Sequence, residues 1–314
     1  MSRTHPALTR LLSTINGVVL GKEDVVLNAL TAVLAGGHIL LEDVPGVGKT
    51  TLAQALANVL GCSFRRIQFT SDLMPGDILG VNVFVVESAT FEFRPGPIFA
   101  QVVLADEINR TTPKTQSSLL EAMNERQVTI DNETRPLPAP FVVIATQNPQ
   151  DFHGTYPLPE SQLDRFMVRL HMGYPPEAVE RQILRSRRQS DPLVQIKPQV
   201  TPQELLALQA AVGEVRVDDL ILDYLMAIIQ LTRRTPQIEL GISTRGALAL
   251  QRAAQARALL LDRTFVIPDD VKALTVPVLA HRIQLVGAGE GLLRAHEEAE
   301  RLIARLTEQV PAPI

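Results

Sequence analysis

The stretch LLEDVPGVGKTTLA, Leu40 to Ala53, decides how the rest of the chain is read. It meets the phosphate-binding pattern G-x-x-x-x-G-K-[ST] at Gly48, Lys49 and Thr50, and departs from it at the first position, where Asp43 stands in place of glycine. A carboxylate facing a polyphosphate would repel it, so the loop works only if the Asp43 side chain points elsewhere. Aspartate tolerates the left-handed backbone region better than most residues, so Asp43 is expected to make the turn out of the strand and to aim its carboxylate at a loop N–H. Gly46 and Gly48 supply the close approaches that need no Cβ.

The flanks agree with this reading. HILLE, His38 to Glu42, is a short apolar run bounded by Gly36 and Gly37, as a buried parallel strand should be. Lys49 to Leu60 has helical character and stops at Gly61. In such a strand–loop–helix unit the backbone from Val44 through Pro45, Gly46, Val47 and Gly48 to Lys49, Thr50 and Thr51 wraps the phosphates. Lys49 reaches the β- and γ-phosphates, and the Thr50 hydroxyl ligates Mg²⁺.

Working outward, two amphipathic helices precede the first strand, with Leu8, Leu11, Leu12 and Ile15 on one face. Further strands are expected at Phe64 to Phe69, Val102 to Asp106, Phe141 to Thr146 and Phe166 to His171. Strands alternating with helices give an α/β fold, a doubly wound parallel sheet with ligands at the strand C-terminal ends. Two hairpins interrupt it: one between Leu79 and Pro97 that turns near Glu87 to Thr90, and one from Arg126 to Pro138 that turns at Asp131 and Asn132. After GYPP, Gly173 to Pro176, long amphipathic helices take over at Asp219 to Arg234, Ser243 to Leu260 and Gly291 to Leu306. Residues 1–175 are therefore read as the α/β core and 176–314 as a separate all-α domain.

Composition narrows the function. The chain has 314 residues, a net charge of −4 and no tryptophan, which argues against a protein that coats nucleic acid. Its single cysteine, Cys62, cannot form an internal disulfide and reads as a small buried hydrophobe. MSRTHPALTR lacks the apolar run of a secretory signal, and the uncharged run Val25 to Leu41 is broken by polar residues, so a soluble cytoplasmic protein without membrane insertion is expected. The cluster Arg185, Arg187 and Arg188 reads as a solvated helix face.

Four further stretches carry chemistry. QVVLADEINR ends a strand in two acids: Asp106 is suited to hold Mg²⁺ through water and Glu107 to polarise an attacking water. FVVIATQNP puts Asn148 at the same sheet edge, where it can orient that water. Arg165 in LPESQLDRF could serve its own site, a helix C-terminus or a neighbouring subunit's site, and Arg245 in GISTRGALAL sits on the first turn of a second-domain helix, able to swing a cation onto the γ-phosphate.

Taken in order, LLEDVPGVGKTTLA, FRPGPIFAQVVLADEINRTTPKTQSSLLEAMNERQVT, VIATQNP, YPLPESQLDRF and STRGALAL make the chain resemble AAA+ ATPases, and more narrowly the MoxR family. The resemblance implies a P-loop AAA+ core with a five-stranded parallel sheet, a hairpin inserted in the second core helix at about 81–95, and a helical lid. It implies ATP or ADP and Mg²⁺ as ligands, Walker A at Lys49 and Thr50, Walker B at Asp106 and Glu107, sensor 1 at Asn148, an arginine finger at Arg165 and sensor 2 at Arg245. Arg169 is the main rival to Arg165, with Arg110 and Arg126 behind it. VVLGKEDVV, Val18 to Val26, resembles the adenine-side motif and brings in Val19. The family further implies a homo-oligomeric, hexameric ring and a chaperone-like role toward von Willebrand factor A domain proteins. The alternative is a nucleic-acid-directed AAA+ motor; a GTPase is disfavoured by the lack of N-K-x-D, and a non-hydrolysing scaffold by Glu107, Asn148 and Arg165.

Overall fold

The computed structural model describes residues 6–148, 155–186, 192–287 and 292–313. Helix α1 (Pro6–Asn16) buries Leu8, Leu11 and Ile15, and α2 (Glu23–Leu34) starts with two acids, Glu23 and Asp24, where the helix dipole favours them. Strand β1 (Ile39–Glu42) is buried at every residue. The phosphate-loop candidate follows, and Gly48, in the left-handed region at φ 98°, starts α3 (Lys49–Val59). Gly61, at φ 62°, turns the chain toward β2 (Phe64–Gln68).

Helix α4 (Pro75–Leu79) is cut short by a hairpin, β3 (Gly80–Val85) and β4 (Thr90–Pro95). The neck of this hairpin needs glycine: a Cβ on Gly96 would lie 2.2 Å from the Ile78 carbonyl oxygen. Strand β5 (Val102–Asp106), α5 (Pro113–Glu125) and the second hairpin, β6 (Gln127–Ile130) and β7 (Glu133–Pro136), come next. The hairpins touch, through Asn82 Nδ2 donating to Asp131 Oδ2 at 2.8 Å and the Arg135 guanidinium 4.1 Å from the Phe93 ring centre. Strand β8 (Val142–Gln147), the short α6 (Glu160–Leu163) and β9 (Val168–Leu170) complete this part.

The five expected strands form one sheet in the order β2-β5-β8-β1-β9, parallel throughout. β1 is interior: the chain leaves it toward β2 and leaves its neighbour β8 toward β9 on the other side, so the crevice above their C-terminal ends is where a doubly wound sheet takes its ligand. One apolar cluster joins the α1–α3 face to the C-terminal helices, and a second, around Phe69, Ile98, Leu119 and Phe166, fills the other face.

The C-terminal part is α7 (Glu177–Ser186), α8 (Pro202–Val212), α9 (Asp219–Arg234), α10 (Thr244–Leu260), α11 (Pro268–Leu279) and α12 (Leu292–Gln309). α8 opens on a capping box, the Thr201 hydroxyl accepting from Glu204 N while the Glu204 carboxylate accepts from Thr201 N. Ser243 caps α10 the same way on Gly246 N, which fixes where Arg245 leaves the helix. The expectation of an all-α lid needs one correction: β10 (Ile238–Leu240) pairs antiparallel with β11 (Gln284–Leu285). Two residues of pairing carry no periodicity for a sequence to show. Gly291, Arg187 and Arg188 lie outside the described residues, and Arg185 is exposed. Cys62 is buried, and that burial pushes its thiol up to about 11. No helix among the described residues is long and apolar enough to cross a membrane.

Candidate functional site

The loop after β1 is shaped by its acid. The Asp43 carboxylate accepts from Val44 N at 2.8 Å through Oδ1 and from Gly173 N at 2.5 Å through Oδ2, so it points away from the loop's hollow. The expected direction holds, but the expected backbone does not: Asp43 has no positive φ, and the left-handed turns fall at Gly46 (φ 86°) and Gly48. Two hydrogen bonds to the carboxylate hold the chain without that turn. Val44 does not line the cleft, and its N–H donates to Asp43 Oδ1. A Cβ on Gly46 would meet nothing within 4 Å, leaving an open cradle. Lys49 Nζ donates to the carbonyls of Asp43 at 2.5 Å and Val44 at 3.1 Å. Burial draws its ammonium below the usual lysine range, against the charges of Asp43, Asp106 and Glu107.

Pro45 to Thr51 line a cleft of about 580 Å³ together with Asp106, Glu107 and Asn148, so most of the sequence-predicted residues converge. An adjoining pocket of about 180 Å³ is lined by Val18, Val19, Val47, Gly48, Thr51 and Met172 among others, an apolar slot beside the phosphate loop that suits a purine base.

At the tip of β5 the acids are already engaged. Asp106 Oδ1 accepts the Thr146 hydroxyl at 2.6 Å, and that hydroxyl accepts Glu107 N at 2.8 Å, so one side chain of β8 positions both acids. Asp106 Oδ2 accepts from Arg66 Nη2 at 2.5 Å and Nε at 3.0 Å. Arg66 Nη2 also donates to Gln68 Oε1 at 2.9 Å, Gln68 Nε2 donates to Glu107 Oε2 at 3.0 Å, and Arg110 Nη1 reaches the same oxygen at 3.0 Å. Glu107 itself is left-handed at φ 58°, a cost for a non-glycine residue that marks a constrained position. Thr146, Arg66 and Gln68 were missed in the sequence. The available cue was that Arg66 and Gln68 alternate on one face of β2, with Gln68 opposite Asp106 in the parallel register.

Two predicted residues lie elsewhere. Arg245 does not line the cleft: its Nη2 donates to Asn124 Oδ1 at 2.9 Å and its Nε stands 3.8 Å from Asp164 Oδ2. The capped start of α10 rests against the α5–α6 side of the core. Arg165, next to Asp164, is half-buried and makes no side-chain hydrogen bond or ion pair among the described residues. Asp164 is held in turn by Arg282 Nε at 2.7 Å.

The rivals to Arg165 are occupied. Arg110 holds Glu107, Arg126 Nη2 donates to the Gly36 carbonyl at 3.5 Å, and Arg169 is 3 % exposed within a charged cluster. Its Nη1 stands 3.4 Å from Glu42 Oε2 and its Nη2 donates to Glu300 Oε1 at 2.9 Å. His296 Nδ1 lies 3.0 Å from both oxygens of the buried Glu42, and His171 bridges the Glu42 carbonyl and Glu300. Burial works against charge on Glu42 and Glu300, but the His296 contact with Glu42 and the His171 contact with Glu300, helped by Arg169, hold both carboxyls below the usual range. This cluster fastens α12 to the ends of β1 and β9.

The donor set fits a nucleotide with a divalent cation. The cradle at Gly46 is open, Lys49 and the N-terminus of α3 face it, and Thr50 and Asp106 are hard oxygen donors of the kind Mg²⁺ takes.

A P-loop beside a Walker B tip, on a parallel sheet ordered β9-β1-β8-β5-β2 with a helical lid, defines an AAA-type ATPase. Residues 38–168 match the family described as ATPase family associated with various cellular activities (AAA), and residues 230–305 match the AAA lid domain. The chain is 48 % identical to uncharacterized protein YeaC of Bacillus subtilis over 99 % of its own length and 96 % of the relative's. It is 39 % identical to chaperone MoxR1 of Mycobacterium tuberculosis, over 88 % of this chain and 76 % of that one. A crystal structure of a protein from Cytophaga hutchinsonii assigned as an ATPase superposes with a TM-score of 0.87 at 34 % identity, over 98 % and 95 % of the two chains. The chain belongs to the MoxR family of AAA+ ATPases, and it is an ATP-hydrolysing enzyme.

Proposed function

We propose that this ATPase works as a Mg²⁺-dependent homo-oligomer, a hexameric ring by family resemblance, in which residues 1–175 form the nucleotide-binding core and 176–314 the lid. Thr50 and Asp106 would hold Mg²⁺, which would supply charge neutralisation of the phosphates. Around it this chain's residues bind and orient: the loop from Gly46 to Thr51 and Lys49 hold the polyphosphate, Val19 borders the base, Glu107 takes the proton of the attacking water, and Asn148 orients that water.

The observation that carries the assembly reading is that neither Arg165 nor Arg245 lines its own cleft, Arg245 standing instead against Asp164, the chain neighbour of Arg165, with Arg165 unpartnered among the described residues. They are offered to a neighbouring subunit's nucleotide, where such an arginine is worth about 10³–10⁵ in rate. Arg165→Ala subunits, inactive alone, should regain turnover when mixed with Lys49→Ala subunits that keep the finger. Mixtures that stay inactive would remove Arg165 from the trans role.

One relative carries the name chaperone, and we extend a protein-remodelling role to this chain. Phe84, Val86 and Phe91 stand exposed at the far end of the β3–β4 hairpin, Phe84 and Phe91 in edge-to-face contact at 5.3 Å. An apolar tip on a chain of net charge −4 suits a protein partner, a von Willebrand factor A domain protein by resemblance, better than nucleic acid. ATP turnover stimulated by such a domain and indifferent to DNA is the expected result; stimulation by DNA alone would favour the motor reading.

A further inference from the structure

Arg66 is unaccounted for by the roles above. It lines the nucleotide cleft, its side chain is 50 % exposed, and it puts two guanidinium nitrogens on the oxygen of Asp106 that the Thr146 hydroxyl leaves open. Its position is built rather than incidental: Gln68, two residues on and on the same face of β2, accepts from the guanidinium, and β2 is locked to β5 in register from Phe64 to Gln68. The acid read as the metal's anchor is thus neutralised by a resident cation before any metal arrives.

We propose that Arg66 is a displaceable counter-ion of Asp106, which a divalent cation must compete away, so that Arg66 sets how much metal the nucleotide site requires. The inference rests on the reading of Thr50 and Asp106 as the Mg²⁺ site. A dication brought to Asp106 meets a guanidinium already within hydrogen-bond distance of the same oxygen. Like charges at such range repel, and the ion or its bound water competes with the guanidinium for that oxygen, so the existing pair is weakened. Because Arg66 is half-exposed, the pair has the modest strength of a surface ion pair, so the effect on metal affinity is a tuning of about two- to tenfold. An arginine suits this better than a lysine at fixing direction, since its fork engages Asp106 and Gln68 at once. Its charge is what the metal feels, and a lysine keeps that charge.

The test is Mn²⁺ binding to the ADP-loaded protein, read from the loss of the free-ion electron paramagnetic resonance signal. Arg66→Ala and Arg66→Gln should each bind Mn²⁺ about two- to tenfold more tightly than wild type, Arg66→Lys should stay close to wild type, and Thr50→Ala should bind more weakly. Equal or weaker binding by both neutral variants, with Thr50→Ala weakened, would overturn the role of Arg66 alone. Thr50→Ala binding as wild type does would overturn the metal reading, and the proposal with it. Thermal unfolding of the same variants separates charge from folding: tighter Mn²⁺ binding cannot come from a loosened site.

Discussion

Two charged clusters flank the C-terminal end of β1, and they are built on opposite terms. On the β9 side, Glu42 and Arg169 are closed in with almost no exposure, and His171 together with His296 and Glu300 of α12 surrounds them. On the β2 side, Asp106, Arg66, Gln68, Glu107 and Arg110 form a chain along an open cleft, with Arg66 and Arg110 about half exposed. The buried Glu42–Arg169 pair has given up hydration and cannot be broken cheaply, whereas the open cluster can exchange partners with solvent, metal or substrate. Position relative to the lid, more than residue type, decides which acids hold the protein together and which remain available for chemistry.

The contrast can be broken hardest at Arg169. Arg169→Ala leaves Glu42 buried with a single imidazole partner and should cost about 3–5 kcal/mol of stability, seen as a large fall in unfolding midpoint. A shift within that of an ordinary surface substitution would show that the buried side is no different from the open one. Glu107→Gln tests the other side: turnover should fall about 10²- to 10⁴-fold while nucleotide binding and the unfolding midpoint are kept. A comparable loss of stability there would erase the distinction.

The smallest effect sharpens the comparison through pH. Burial lowers the His171 pKa, but the hydrogen bond and charge of Glu300 outweigh it and hold it above the ordinary value of 6.5. A raised histidine pKa contributes stability that is complete below about pH 6.5 and is lost as pH rises through the folded-state value. Glu300, held below its ordinary 4.5, contributes above that value. The pair is therefore strongest between about pH 4.5 and 6.5, and the unfolding midpoint of His171→Gln should trail wild type there and approach it by pH 8.5. Solvent reaches both groups, so the gap is a fraction of about 1 kcal/mol. His38, lowered to about 4 by burial, and the neutral buried His281 destabilise both proteins alike below pH 6.5, so the comparison of variant with wild type isolates His171. A gap that is constant with pH would make the contact one of packing alone.

What was legible in the sequence follows from what sequence encodes locally. Apolar runs and helical spacing carried the five strands, both hairpins and the helices α9, α10 and most of α12, and glycine and lysine spacing carried the loop from Gly46 to Thr50. Pairings made across space were not legible. Arg66 meets Asp106 only because β2 and β5 are in parallel register. Arg169 looks like a free cation until β9 is laid beside β1 and α12 is placed over both. Arg245 sits on a helix start that its motif predicts, but where that start rests depends on the docking of a whole domain. At Asp43 the direction of the carboxylate was legible and the turn was not, because Gly173, its partner, lies 130 residues away.

That last contact gives residue 43 membership of two loops, the one that cradles phosphate and the one that leaves the sheet for α7 through Gly173, Tyr174 and Pro175, the latter two themselves walls of the nucleotide cleft. The portable unit is then the pair and not the eight-residue pattern. Moved to another scaffold without a backbone N–H where Gly173 stands, the loop would keep only the Val44 N–H to hold its negative charge away from its own ligand. With glycine restored at 43 in this scaffold, the phosphates would be held much as before, but the path to the lid would lose its splice to the site whose state it has to follow.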